Sequence, residues 1–203
     1  MNYIDSIKHA STESKFEMLI NGNLNVENAA MIYKNFSGKP TRVNPQGGKR
    51  TFSLVLNREV AEKLNDMGWN VKVKEVRDQL TEGETTRTVS FDDFVNNYAT
   101  EFDHALMYTE IVVNEFSEYP PKIYKVSEFN GEKTMALVPA DQWYRMDESE
   151  LLNIDVSIHP YTHGRSIANP DAKKGYLKSM YAMAVPISEF GGKYADYRIS
   201  GEE

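Results

Sequence analysis

Residues 31–57 read MIYKNFSGKPTRVNPQGGKRTFSLVLN, and the rest of the chain is read outward from them. The stretch carries five cations, Lys34, Lys39, Arg42, Lys49 and Arg50, and neither Asp nor Glu. Three rings, Tyr33, Phe36 and Phe52, are interleaved with the charges. Gly38, Pro40, Pro45, Gly47 and Gly48 punctuate the middle, so a strand runs into a loop and out into a second strand. Cations attract a phosphate backbone and exposed rings offer platforms for bases. Together they let a protein hold single-stranded nucleic acid without reading its sequence. The competing reading is a solvated basic hairpin whose rings belong to the core.

The 203 residues suit one domain, or one domain with a sizeable insertion. Apolar content of 40% and charged content of 26% are those of an ordinary globular chain. No apolar run reaches the ~20 residues of a membrane span, and the N-terminal MNYIDSIKHASTESKFEM has no apolar signal core. The expectation is a cytoplasmic protein with no membrane partner. Cysteine is absent, which excludes disulfides and thiolate metal clusters. The formal charge of −7 argues against a passive phosphate binder. The charges are segregated along the chain, however, and a ligand meets the local field. Residues 82–118 hold nine acids against the single Arg87.

Residues 1–23 read as a loose arm, with a short helix over Ser6–Phe16. Residues 24–36 read as one strand, with Met31, Tyr33 and Asn35 on one face. Residues 50–57 alternate, which predicts a half-buried strand with Phe52, Leu54 and Leu56 inward. A short helix over 58–67 follows, capped by Asn57 and stopped at Gly68, with Val60, Leu64 and Met67 on its buried face. Residues 69–76 return to period two, with Trp69 as a core anchor. Residues 77–89 read as a charged turn region. A helix over 90–104 then starts on Ser90, with Asp93 in a capping-box role and Phe91, Phe94, Tyr98 and Phe102 as packing rings. Strands are predicted over 106–116, 121–129, 133–138, 153–161 and 174–186, with Asn130–Gly131 as a tight turn and a short helix or turn over 139–149. In 153–161, Ile154, Val156 and Ile158 face inward. In 174–186, Leu177, Tyr181 and Met183 share one face and Tyr176, Lys178 and Met180 the other.

The sum is a mainly β chain of about seven short strands. Its predicted architecture is an OB-fold-like β-barrel with one short helix and one inserted acidic helix. The expected organisation is an arm over 1–23, a single domain over 24–186 with an insertion at about 85–105, and a tail over 187–203.

The motifs of common enzyme classes are missing: no Gly-x-Ser-x-Gly elbow, no phosphate-cradling Gly-x-x-x-x-Gly-Lys-Ser/Thr, no Gly-x-Gly-x-x-Gly after a strand. His159 and His163 are spaced like metal ligands, but Pro160 and Gly164 make this a strand-to-loop segment with no third ligand. The chain reads as a non-enzyme without metal or cofactor. A second stretch repeats the recipe of the first. Residues 158–181 carry Arg165, Lys173, Lys174 and Lys178 against the single Asp171, with His159, Tyr161, Tyr176 and Tyr181 among them.

The N-F-x-G block at 35–38, Asn44–Pro45, Arg50–Thr51–Phe52, the Gly68–Trp69–Asn70–Val71 step, Pro120–Pro121, the His159–Pro160–Tyr161 corner and Gly175–Tyr176–Leu177–Lys178 stand in one order. In this the chain resembles the small single-stranded DNA-binding proteins of tailed bacteriophages. The resemblance implies an OB fold, sequence-tolerant binding of single-stranded DNA, and a part in phage DNA replication or recombination. It carries a binding role to Lys34, Phe36, Lys39, Arg42, Arg50, Phe52, Tyr161, Arg165, Tyr176 and Lys178. The chain departs from that class in its tail: residues 187–203 hold four acids but also Lys193 and Arg198. Replication or recombination proteins and a second copy of the chain stay open as partners. The acidic helix has three open roles: facing a protein partner, packing a dimer, or capping the barrel end. A second function also stays open, a phage-encoded protein-interaction module that uses the acidic 90–104 helix as a phosphate mimic against a host system.

Overall fold

The computed structural model describes residues 12–42, 44–79, 83–98, 105–129, 131–162 and 172–186. The strands are β1 (Lys15–Met18), β2 (Leu24–Glu27), β3 (Met31–Asn35), β4 (Thr51–Leu56), β5 (Val71–Gln79), β6 (Gly83–Ser90), β7 (Ala105–Val112), β8 (Lys122–Phe129), β9 (Glu132–Val138), β10 (Ser149–Thr162) and β11 (Lys173–Pro186). Two α-helices, α1 (Arg58–Asp66) and α2 (Phe91–Tyr98), and a 3-10 helix (Ala140–Met146) connect them.

All these strands belong to one mixed sheet with the path β1-β2-β10-β11-β7-β4-β3. The β5–β6 hairpin joins at β7, and the β8–β9 hairpin joins at β11. The mainly β, OB-like expectation holds, with an open sheet in place of a fully closed barrel. β11 lies between β10 and, in parallel, first β7 and then β8. The core is a single large cluster, with a smaller one of Ala30, Ile32, Val55, Leu106 and Tyr108 on the other face of β4 and β7.

The helix signals hold. Asn57 Oδ1 accepts from Val60 N at 2.9 Å. At the other end Gly68 takes φ +85°. Gly68 N donates to Asn65 O and Trp69 N to Leu64 O, each at 2.9 Å, which is a Schellman stop. Ala61 and Leu64 are the buried residues of α1, while the predicted Met67 is exposed. For α2, Ser90 Oγ accepts from Asp93 N at 3.1 Å, which makes Ser90 the predicted cap, and donates to Asp93 Oδ2 at 2.7 Å, so Asp93 engages the hydroxyl of the cap residue. Phe91 and Phe94 are buried as expected, and Trp69 is a core anchor. Residues 99–104, including Phe102, lie outside the described residues, as do the predicted helix start near Ser6 and the tail over 187–203.

Several elements differ from the sequence reading. Residues 15–18 form a strand rather than part of a helix or a loose arm. The strand predicted over 24–36 breaks at Asn28, whose φ is +50°, so β2 pairs with β1 and β10 while β3 pairs with β4. Residues 83–89 pair with β5 instead of forming a turn region. β4 is buried on both faces, because β3 and β7 flank it and apolar clusters cover both sides.

Two bulges re-aim side chains. In β3 the register slips between Ile32 and Asn35, and Tyr33 at φ +51° turns outward. In β11 the register slips at Lys178: Ser157 pairs with Ser179, yet Ile158 pairs with Leu177. The extra residue inverts the alternation, so Leu177, Met180 and Ala182 are all buried. Tyr181 therefore lies on the open side, not beside Leu177 as period two predicts.

Gly175 sits where three core side chains converge. A Cβ there would lie 2.7 Å from Ile111 Cδ1, 2.7 Å from Trp69 Cζ3 and 2.9 Å from Ile158 Cγ2. The start of the basic hairpin is held by a residue 111 positions beyond Phe36: Asp147 Oδ1 accepts from Phe36 N and Oδ2 from Ser37 N, each at 2.8 Å.

Two substitutions test this frame. Gly175→Ala should cost about 1–3 kcal/mol, the usual range for overpacking, seen as a lower midpoint in urea. Asp147→Ala should cost about 1.5–3 kcal/mol, the range for hydrogen bonds to a charged group. It should also speed proteolysis within residues 37–49, whereas an unchanged cleavage pattern would show that the clamp does not hold the hairpin.

Candidate nucleic-acid interface

The basic hairpin between β3 and β4 is built from local bonds. Asn35 Oδ1 accepts from Lys39 N at 2.9 Å, and Asn35 Nδ2 donates to Lys39 O at 3.0 Å. Gly48 N donates to Gly38 O at 2.8 Å, and Gly47 and Gly48 both take positive φ. Lys39 and Arg42 are exposed at its tip.

The other cations of this stretch are tied to protein partners. Lys34 is half-buried and donates to Ser149 O at 2.6 Å and Met146 O at 3.1 Å. Burial pushes its pKa below the ordinary lysine value, against the pull of Asp147 and Glu150. Arg50 donates to Glu115 Oε2 at 2.5 Å, and its guanidinium lies 5.4 Å from the centroid of the Trp143 ring. Lys49 pairs with Glu110 at 2.5 Å. The acids that stand apart along the sequence thus return to the basic hairpin in space, because β4 pairs with β7.

Phe36 and Phe52 have no exposed surface and stack on each other with centroids 5.7 Å apart. A base cannot reach either ring, so their predicted contact with nucleic acid is replaced by a core role. Lys34 and Arg50 are likewise struts in this arrangement. Tyr33 is 51% exposed, with Lys74 Nζ at 5.7 Å from its ring centroid.

The second predicted stretch builds an open site. Tyr161 on β10 and Tyr176 on β11 meet edge to face, with centroids 5.8 Å apart. They line a cleft of about 600 Å³ with His159, Lys178 and, from the β7–β8 loop, Asn114 and Tyr119. His159 is paired with Tyr176 across the strands. Its Nδ1 lies 2.8 Å from Asn23 Oδ1, within hydrogen-bond distance, which ties the ring to the start of β2. Lys178 is exposed at the bulge and also borders a second cleft. Glu118 on the loop wall disfavours phosphate there, which leaves the Lys178 wall for a polyanion. Arg165 and His163 lie outside the described residues.

The sequence reading missed the loop rings. Phe116 is 88% exposed and Tyr119 82% exposed. Both sit among Glu115 and Glu118, so a search for rings interleaved with cations passes over them. On α2 the acids are exposed but engaged: Asp92 Oδ1 accepts from Asn65 Nδ2 at 2.7 Å, and Asp93 Oδ2 accepts from the Ser90 hydroxyl. Among the described residues no cluster of His, Cys, Asp or Glu could hold a metal ion. No described helix is long and apolar enough to cross a membrane.

No curated protein and no solved structure matches the chain. Residues 13–92, from β1 through the start of α2, match a family described as "Putative phage ssDNA-binding domain". The matched segment contains the basic hairpin and the β1–β2 wall of the second cleft; the rings of the first cleft lie beyond it. The segment 13–92 is thus similar to a phage single-stranded DNA-binding family, the family that the sequence resembles.

Proposed function

We propose that this chain binds single-stranded DNA without strong sequence dependence and serves phage DNA replication or recombination. The observation that carries the reading is the Tyr161–Tyr176 pair beside Lys178 in an open cleft. Rings held edge to face leave π surface for a base, and a neighbouring ammonium meets the phosphate that follows it. In this reading the strand crosses the open face of β10 and β11. It enters the cleft at Tyr119, Tyr161 and Tyr176, passes Lys178 at the bulge, and continues into the second cleft. Lys39 and Arg42, exposed on the hairpin, add long-range attraction. Phe36, Phe52, Lys34 and Arg50 hold the scaffold instead of touching DNA. The interface needs no catalytic group.

The test is fluorescence anisotropy with a labelled oligo-dT of about 30 nucleotides, long enough to span several site sizes, and its duplex, across a salt series. The expected result is tight single-strand binding, weak duplex binding and, for about four neutralised phosphates, a slope of log K on log salt near −3. Tyr176→Ala should lose about 1–3 kcal/mol of binding, the worth of one stacked base. Lys178→Ala should make the slope shallower by about 0.7. If both variants bind like the parent, the strand does not lie on this face.

A further inference from the structure

β8 continues the open face of β11. Ser179 on β11 pairs with Lys122 on β8, and Tyr181 with Tyr124, while Met180 and Ile123 between them are buried. Ser179, Tyr181, Lys122 and Tyr124 therefore share the outward face. The rings of Tyr181 and Tyr124 stack with centroids 4.9 Å apart and planes 8° apart. Tyr124 pairs in turn with Leu137 on β9, which is 58% exposed. Lys122 is exposed and stands across from Ser179, the residue after Lys178. Tyr181 borders the second cleft, of about 720 Å³, which lies between β1–β2 and β11. The opposite side of that cleft is mostly acidic: Glu17 is on β1, Glu27 on β2 and Asp155 on β10. Lys15 offsets Glu27 at 3.6 Å, and Asp155 Oδ1 accepts from Asn28 N at 3.0 Å. Lys178 lies on the β11 side. The field across the cleft thus runs from carboxylates on one wall to ammonium groups on the other.

We propose that the bound strand, once past Lys178, keeps to the β11–β8 side of this cleft: a base adds to the Tyr181–Tyr124 stack, and its phosphate lies on Lys122. The inference rests on the single-stranded DNA reading above and adds a second base station to it. Lys122 and Tyr124 lie outside both basic stretches of the sequence, and register alone brings them to the face that carries Lys178. Two parallel rings are a platform that any base can extend, so the station tolerates every sequence. A phosphate beside Glu17, Glu27 or Asp155 would meet like charge. On the other wall Lys178 precedes Ser179 on β11 and Lys122 faces it from β8. The acids thereby set which side of the cleft the backbone follows.

The experiment is anisotropy with a labelled oligo-dT of about 30 nucleotides across a salt series, with thermal melts alongside. It uses the full chain and Tyr181→Ala, Tyr181→Phe, Lys122→Ala and Lys15→Ala. Tyr181→Ala should weaken binding about tenfold, within the range for one stacked base. Tyr181→Phe, which keeps the ring, should bind like the parent. Lys122→Ala should make the slope of log K on log salt shallower by about 0.7, the share of one phosphate contact. Lys15→Ala, on the opposite wall, should leave the slope unchanged. If Tyr181→Ala fails to fold, Lys122→Ala decides, because its side chain is exposed. Three results each overturn the second station and leave the single-stranded DNA reading standing: a folded Tyr181→Ala that binds like the parent, a Lys122→Ala that keeps the parental slope, or a slope lost in Lys15→Ala instead. Failure of the parent to bind oligo-dT overturns both.

Discussion

Gly175 has no side chain, and the benzo ring of Trp69 occupies part of the space one would need. Everything about the placement of β11 depends on this close approach. The strand is hydrogen-bonded to β10 along its whole length on one side and, on the other, runs parallel to β7 at Gly175–Tyr176 before passing to β8. It is the seam that joins β1-β2-β10 to β7-β4-β3. Trp69 belongs to the segment after α1, and its place is set by the Schellman stop at Gly68. One residue past the close approach, Tyr176 enters the cleft. A packing constraint in the core thereby sets the position of a surface ring.

The cations of the chain divide by environment. Those of the basic hairpin that lie near β7 meet carboxylates, and Arg50 with Glu115 is largely shielded from water. A partly desolvated pair of this kind is costly to break from either side, so it stiffens the loop base but leaves little field for a ligand. The Lys49–Glu110 pair is more exposed and contributes on the order of 0–1 kcal/mol. Lys178 sits on a bulge between two clefts, where its charge reaches solvent. The local field over β10 and β11 therefore matters more to a polyanion than the net charge of −7.

Alternation and capping could be read from the residues because both are local. Ile154, Val156 and Ile158 alternate inward as period two requires, and Asn57, Gly68 and Ser90 act through neighbours within a few positions. Alternation reports which side chains share a face; it does not report what covers the opposite face. β4 therefore read as half-buried although Val55 is sealed under Ile32, Leu106 and Tyr108. Bulges add one residue and invert the pattern beyond it, which puts Tyr181 on the face opposite to the one that period two predicts. The fate of Lys34, Lys49 and Arg50 depends on groups 61 to 115 positions away, and no local pattern carries that information. Tyr161, Tyr176 and Lys178 come together in the structure because β10 and β11 are neighbours in sequence and pair directly.

The strand order also bears on how the chain is made. Val26 near the start pairs with Val156, and β4 waits for β7 on its inner edge. While the ribosome is still extending the chain, the segment 13–92 exists with open edges on β2 and β4, and these apolar strands have no partners to cover them. Such a sheet is dominated by non-local pairing, which slows folding and exposes aggregation-prone edges during synthesis. Among the described strands β11 comes last along the chain, and it is also the seam. Truncation just before Lys173 would leave the two halves of the sheet without their common strand.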